Sequence, residues 1–212
     1  MSTAAPIVHI VDDDASFLAA TSRLLRASGF AVKTFASASE FLAQRNVEVA
    51  GCAVVDLQMP GLNGLDLQLA LGRRRNPLPV IFLTGQGDIP TSVRAMREGA
   101  EDFLTKTAPK AALLHAIQRA LARDAREREV RARRREICKR FEKLTERERE
   151  VLGHVVRGRL NKQIAGDLDI HERTVKLHRT AITTKLRVQS VAELTRLTDE
   201  AGLFTECAPT CP

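Results

Sequence analysis

The chain has 212 residues, and 33 Lys and Arg against 26 Asp and Glu give a formal charge of +7. It lacks Trp and Tyr, which disfavours a carbohydrate or aromatic-ligand site, and at 44% hydrophobic it is too apolar for global disorder. No apolar run approaches the ~20 residues of a membrane helix and no basic-then-apolar leader is visible, so the expectation is a soluble, cytoplasmic protein of one or two domains.

Cys52, Cys138, Cys207 and Cys211 are too scattered for a disulfide framework or a zinc site and read as free thiols. Charge is uneven: residues 1–123 hold 13 basic and 11 acidic side chains, residues 124–212 hold 20 and 15. A basic C-terminal half points to a polyanion partner.

In chain order, the apolar run Ile7–Val11 ends in three acids, Asp12, Asp13 and Asp14. Residues 15–28 carry a helical period, with Asp14 as N-cap and Gly29 as a left-handed stop. Val32 and Phe35 mark a second strand, and Phe41 and Leu42 a second helix. Cys52–Val55 is a third apolar run, ending at Asp56. A helix over 63–74 precedes Val80–Leu83, which ends at Thr84. A helix over 89–98 then leads to Asp102–Leu104, ending near Lys106. Continuous apolar strands separated by short helices predict a doubly wound parallel α/β sheet with helices on both faces. The functional crevice of such a sheet lies beyond the carboxyl ends of its strands. Asp12, Asp13, Asp56, Thr84 and Lys106 all fall at that edge.

Carboxylates gathered there repel one another unless a cation joins them, and hard oxygen ligands with open positions suit Mg²⁺. A carboxylate beside such a metal can form an aspartyl phosphate, with the metal, an ammonium and a hydroxyl neutralising the phosphoryl oxygens. Asp12-Asp13, Asp56 followed by Met59-Pro60-Gly61 and Gly64, Thr84 and Lys106 resemble the receiver domain of bacterial response regulators. The resemblance covers roughly residues 5–123 and implies a flavodoxin-like five-stranded sheet in the order 2-1-3-4-5. It implies Asp56 as phosphoacceptor, Asp13, Asp56 and the backbone carbonyl of Gln58 as Mg²⁺ ligands, and Asp12 acting through water. Thr84 and Lys106 would bind the phosphoryl group, and Phe103 would be the aromatic switch that follows Thr84. Thr107 departs from the pattern: the family usually has a cis proline there, and a non-proline cis bond costs ~3 kcal/mol. An alternative from another class is a phosphohydrolase using the D-x-D pair Asp12 and Asp14, which leaves Asp56 unexplained.

Residues 124–143 hold 9 basic and 5 acidic side chains with no Gly or Pro. The sparse apolar set Val130, Ile137 and Phe141 predicts a solvated helical linker, with phosphate contacts by Arg133, Arg134 and Arg135 as a lesser reading. Thr145 and Glu148 then form a capping box opening a helix that stops at Gly158. A short helix from Asn161 to Leu168 and a second from Glu172 to Leu186 read as a helix-turn-helix. Val175, Ile182 and Leu186 belong inside. Arg173, Lys176, Leu177, Thr180, Thr184 and Arg187 form the outer arc. Lys176 suits guanine edges, Leu177 a thymine methyl and Thr180 either, while Arg179 and Lys185 suit phosphates.

The segments 144–152, Gly158, 161–165 and 174–179 resemble a LuxR-type DNA-binding domain, and with the receiver the chain resembles the NarL/FixJ family of transcriptional regulators. The implied organisation is a receiver (5–123), a charged helical linker (124–143), an all-α helix-turn-helix domain (144–205) and a tail (206–212). Lys162 and Thr174 join the expected DNA contacts. The last helix, over 190–200, would pair two such domains on a palindromic site. Leu160 and His171 stand where the family commonly has a small capping residue; a lost cap costs ~1 kcal/mol, although Asn161 could substitute at the first helix, and His171 adds a possible pH sensitivity. The implied function is a non-enzymatic response regulator. A sensor histidine kinase phosphorylates it, it forms a homodimer, and it binds double-stranded DNA and engages RNA polymerase, as an activator.

Overall fold

The computed structural model describes residues 5–73, 77–85 and 89–203. The Cys207 and Cys211 tail lies outside them. The chain divides into two compact units, Met1–Glu129 and Val130–Pro212.

In the first unit, β1 (Ile7–Val11), β2 (Ala31–Phe35), β3 (Gly51–Val55), β4 (Val80–Thr84) and β5 (Asp102–Thr105) form one sheet in the order β2-β1-β3-β4-β5. All four pairings are parallel. Its helices are α1 (Ala15–Ala27), α2 (Ala38–Gln44), α3 (Gly64–Gly72), α4 (Ile89–Arg97) and the part of α5 (Lys110–Glu142) up to Glu129. Every residue of β3 and β4 is buried, whereas the edge strands β2 and β5 are largely half-exposed. Helices on both faces exclude water from the central strands, which is why those strands read as unbroken apolar runs.

Side-chain alternation sorts the core into two faces. Val11, Val55 and Phe82 pack with Phe41 of α2, Leu67 and Leu71 of α3 and Ala95 of α4. Ile10, Val54 and Ile81 point the other way, onto Leu25 of α1 and Leu113 and Ile117 of α5. The doubly wound architecture is therefore the one expected from the strand and helix pattern.

α5 runs without interruption for 33 residues, through much of the charged stretch. Val130 is exposed, as a solvated helix requires. Ile137 and Phe141 are not: both are buried in the core of the second unit. Arg133 forms a bidentate pair with Glu200, at 2.9 and 3.2 Å, and Arg134 donates to the Ala201 carbonyl at 3.3 Å. The expectation of a solvated helix is corrected here. Part of this segment is the first core element of the second unit, and two of its three consecutive arginines are spent on the end of the last helix.

That unit continues with α6 (Glu146–Val156), α7 (Asn161–Asp167), α8 (Glu172–Leu186) and α9 (Val191–Ala201). The Thr145–Glu148 capping box forms, with Glu148 N–H donating to the Thr145 hydroxyl and Thr145 N–H donating to the Glu148 carboxylate. Val151, Leu152 and Val155 of α6, Ile164 of α7 and Val175, Ile182 and Leu186 of α8 close one core. Among the described residues, no helix is long and apolar enough to cross a membrane.

Candidate functional site

Four parallel strands end along one edge of the sheet, and their backbones set the depth of each functional group. Asp56 N–H donates to the Val11 carbonyl at 2.9 Å, and Lys106 N–H to the Thr84 carbonyl at 2.8 Å. Asp12, Asp56 and Thr84 are buried there, while Asp13 is exposed. Gly64, at the start of α3, lies so close to β3 that a Cβ would stand 2.5 Å from the Asp56 carbonyl oxygen and 3.0 Å from the Phe82 ring.

Carboxylate oxygens of Asp12, Asp13 and Asp56 lie within 4.8 Å of one another. Lys106 Nζ bridges two of them, 2.7 Å from Asp12 Oδ2 and 2.8 Å from Asp56 Oδ2. Asp14 N–H donates to Asp12 Oδ1 at 2.9 Å, and Gln58 N–H to Asp56 Oδ1 at 3.4 Å. Burial raises the Asp12 carboxyl above the usual carboxylate range, and the Lys106 and Asp14 donors only partly offset it. Burial also disfavours the Lys106 ammonium, but its hydrogen bonds to Asp12 and Asp56 outweigh that and hold it above the ordinary lysine value. Three hard oxygen donors from two strand ends, one of them open to solvent, fit a Mg²⁺ ion that keeps part of its water shell.

The remaining pocket residues occupy distinct places. Phe103 on β5 is half-buried, with its ring centroid 6.0 Å from that of Phe82. It lines a groove with Ile89, Val93 and Met96 of α4, all three exposed. The Thr107 hydroxyl lies 3.1 Å from that of Thr105, in a loop whose peptide bonds are all trans. Asp14 stays out of the pocket: it caps α1, accepting from Ser16 and Phe17 N–H at 2.8 and 3.1 Å. A D-x-D catalytic pair with Asp12 is thereby deprived of its second carboxylate. One neighbour went unseen in the sequence, the Phe17 ring, whose centroid is 4.4 Å from Lys106 Nζ. Only its place in the first turn of α1, after the cap, hinted at that side of the pocket.

In the second unit, α8 presents Arg173, Lys176, Leu177 and Thr180 to solvent, with Leu177 64% exposed. Lys162 of α7 is exposed, and Thr174 is half-buried. Arg179 and Lys185 are engaged within the unit. Arg179 donates to Asn161 Oδ1 at 3.0 Å, and Lys185 Nζ lies 2.7 Å from the buried Glu148 carboxylate. Burial disfavours the Glu148 anion, yet Lys185 and the Thr145 N–H together hold its carboxyl below the usual range. Leu160 is the N-cap of α7 without a side-chain bond, and Gln163 accepts from its N–H at 2.9 Å. Asn161 is the first helical residue and binds Arg179, so it does not supply the missing cap. His171, the N-cap of α8, likewise makes no side-chain capping bond.

Comparison with known proteins follows the same division. The response regulator receiver domain family matches residues 8–118, and the luxR family of bacterial regulatory proteins matches residues 142–198. The response regulator protein TodT of Pseudomonas putida is 43% identical over 199 residues, covering 94% of this chain and 88% of its own. The transcriptional regulatory protein FixJ of Azorhizobium caulinodans is 41% identical, over 92% of this chain and 93% of its own. The solved structure of the response regulator StyR is 45% identical, covers 93% of this chain and all of its own, and superposes with a TM-score of 0.81. The chain belongs to the NarL/FixJ-type response regulators of two-component systems, with a receiver domain and a LuxR-type DNA-binding domain.

Proposed function

We propose that a sensor histidine kinase phosphorylates Asp56 and that phosphorylation controls dimerisation, DNA binding and transcription, with activation as the output. The observation that carries this is the Lys106 ammonium bridging Asp12 and Asp56 at 2.7 and 2.8 Å, with the buried Thr84 at the end of the neighbouring strand. A carboxylate nucleophile needs neighbours that neutralise the arriving phosphoryl oxygens, and preorganised cations do this without reorganisation during reaction. Asp12, Asp13, Asp56 and the Gln58 backbone carbonyl would hold Mg²⁺, which supplies further neutralisation of those oxygens.

The Asp56 carboxylate attacks phosphorus and the phosphohistidine P–N bond breaks. Lys106 then exchanges a carboxylate partner for a phosphoryl oxygen. Thr84 moves toward the new group and Phe103 follows. The groove that Phe103 shares with Ile89, Val93 and Met96 is the apolar surface on which two receivers associate, and its exposure in a soluble-type fold supports that reading. The added charge thus biases a two-state element.

Paired DNA-binding domains read a palindromic promoter site. Lys176, Leu177, Thr180, Arg173 and Thr174 lie on or beside the exposed arc of α8, and Lys162 contacts phosphate. Arg179 and Lys185 join the backbone contacts if they leave Asn161 and Glu148. Recruitment of RNA polymerase completes the activator reading, and the protein acts in the cytoplasm. Its own phosphorylation and dephosphorylation are its only chemistry. A Phos-tag gel with acetyl phosphate and Mg²⁺, on wild type and Asp56→Ala, tests the site. A shifted band that persists in Asp56→Ala would overturn it, and footprinting of the phosphorylated protein on its own upstream region tests the output.

A further inference from the structure

Phe17 is the third residue of α1. Because Asp14 accepts from both Ser16 and Phe17 N–H, the cap fixes the first turn and the side from which the ring projects. The half-buried ring packs on the core cluster shared by α1 and α5, and its centroid lies 4.4 Å from Lys106 Nζ. That nitrogen also touches Asp12 Oδ2 and Asp56 Oδ2 at 2.7 and 2.8 Å. An ammonium has three N–H donors, and the two carboxylates engage two of them. The ring face stands well inside the ~6 Å range over which its quadrupole attracts a cation. Leucine would fill similar space without a negative face.

We propose that Phe17 is a positioning residue for Lys106: its ring keeps the ammonium aimed into the pocket, where it meets the incoming phosphoryl group. The proposal rests on Asp56 being the phosphoacceptor. With acetyl phosphate as donor, an Asp56 carboxylate oxygen forms the new P–O bond while the bond between phosphorus and the acyl oxygen breaks. Acetate leaves with the electron pair, and no proton is transferred. Negative charge on the phosphoryl oxygens must be met by Lys106 as the bonds exchange. A lysine that spends more time turned toward solvent slows that exchange, because orientation has to be recovered for each encounter.

The test uses the full-length protein with Phe17 replaced by mono-, di- and trifluorophenylalanine. Fluorine drains the ring face while leaving its shape nearly unchanged. The rate of Asp56 labelling by acetyl phosphate with Mg²⁺, read by intact mass, should fall with each fluorine, reaching about five- to tenfold at three. Phe17→Leu should show a similar loss, and Phe17→Tyr should stay within about twofold of wild type. A flat fluorine series overturns the proposal even if Phe17→Leu is slow, since the ring then only packs. Should Phe17→Leu fail to fold, the fluorinated series still decides. Asp56→Ala separates the two levels: labelling that survives in it, or a wild type that takes no label, overturns the phosphoacceptor reading and this proposal with it. Labelling confined to Asp56 with a flat series overturns the role of Phe17 alone.

Discussion

The carboxylate of Asp124, buried on α5, accepts a hydrogen bond from the backbone N–H of Gly51, the first residue of β3, at 2.8 Å. The same oxygen receives Arg128 Nε at 2.8 Å, and Arg128 donates onward to the carbonyls of Glu48 and Val49 at 3.0 and 2.8 Å. β3 is the strand whose far end leads into Asp56. One acid on the long helix therefore holds the foot of the strand that carries the pocket. Gly51 is as confined as its partner, since a Cβ there would meet the Ile7 carbonyl at 1.9 Å.

Removing that acid leaves the buried Gly51 N–H without its acceptor and takes the carboxylate from the half-buried Arg128, which keeps only the loop carbonyls. Asp124→Ala is expected to destabilise the first unit by about 3 kcal/mol, and Asp124→Asn by less because it keeps an acceptor for Gly51. Urea denaturation of the full chain, followed at first-unit amides by NMR, measures this. An effect under about 1 kcal/mol would show that Arg128 and Gly51 find other partners.

His9 sits in β1 with its ring 5.9 Å from that of Phe35 and 5.3 Å from that of Phe41, and neither ring nitrogen has a hydrogen-bond partner. Burial, with Arg45 and Lys33 adding repulsion, lowers its pKa to about 4. The neutral form is the folded form. Above the unfolded value of 6.5 both states are neutral and nothing is lost. As pH falls below that value the unfolded chain binds a proton first, so stability declines until the folded pKa is reached. Between pH 7 and pH 5 the loss from this group is about 2 kcal/mol. His9→Leu should flatten that part of the stability profile. Equal slopes in the two proteins would contradict the assignment.

Gly64→Ala tests the close approach at the pocket. Its Cβ would overlap the Asp56 carbonyl, so either α3 or the β3 end must shift, at a cost of about 1–3 kcal/mol. Acetyl-phosphate labelling of Asp56 should fall by more than stability alone explains. Labelling at the wild-type rate in a folded variant would mean the pocket tolerates the displacement.

Lys176 and Lys185 should respond differently to alanine. Lys176 is exposed and lies 3.4 Å from Glu172 in a surface pair, so its loss should weaken specific binding by about 1–3 kcal/mol at nearly unchanged stability. Lys185→Ala takes the ammonium from the buried Glu148, leaving it the Thr145 N–H, and should destabilise the second unit by about 1–3 kcal/mol. Thermal unfolding beside fluorescence anisotropy on operator DNA separates the two. A stable Lys185→Ala with a reduced salt dependence would make that lysine a phosphate contact instead.

Much of this was legible in the sequence because it is local. Apolar runs of strand length ending in Asp12, Asp56, Thr84 and near Lys106 mark both the sheet and its functional edge, since a parallel sheet must align its strand ends. The Asp14 cap, the Thr145–Glu148 box and the Val175, Ile182, Leu186 face likewise follow from helical period and hydrogen-bonding need. What tertiary structure decided was the partner of each long side chain. Nothing local tells Lys185 to fold back onto Glu148, Arg133 onto Glu200, Asp124 onto Gly51, or Phe17 under Lys106. Ile137 and Phe141 look like stray apolar residues on a charged helix until a core closes around them. A flexible charged side chain gains only about 1 kcal/mol from a surface partner, so solvent and protein compete closely for it. The choice is settled by distance and burial, which exist only once the chain has folded.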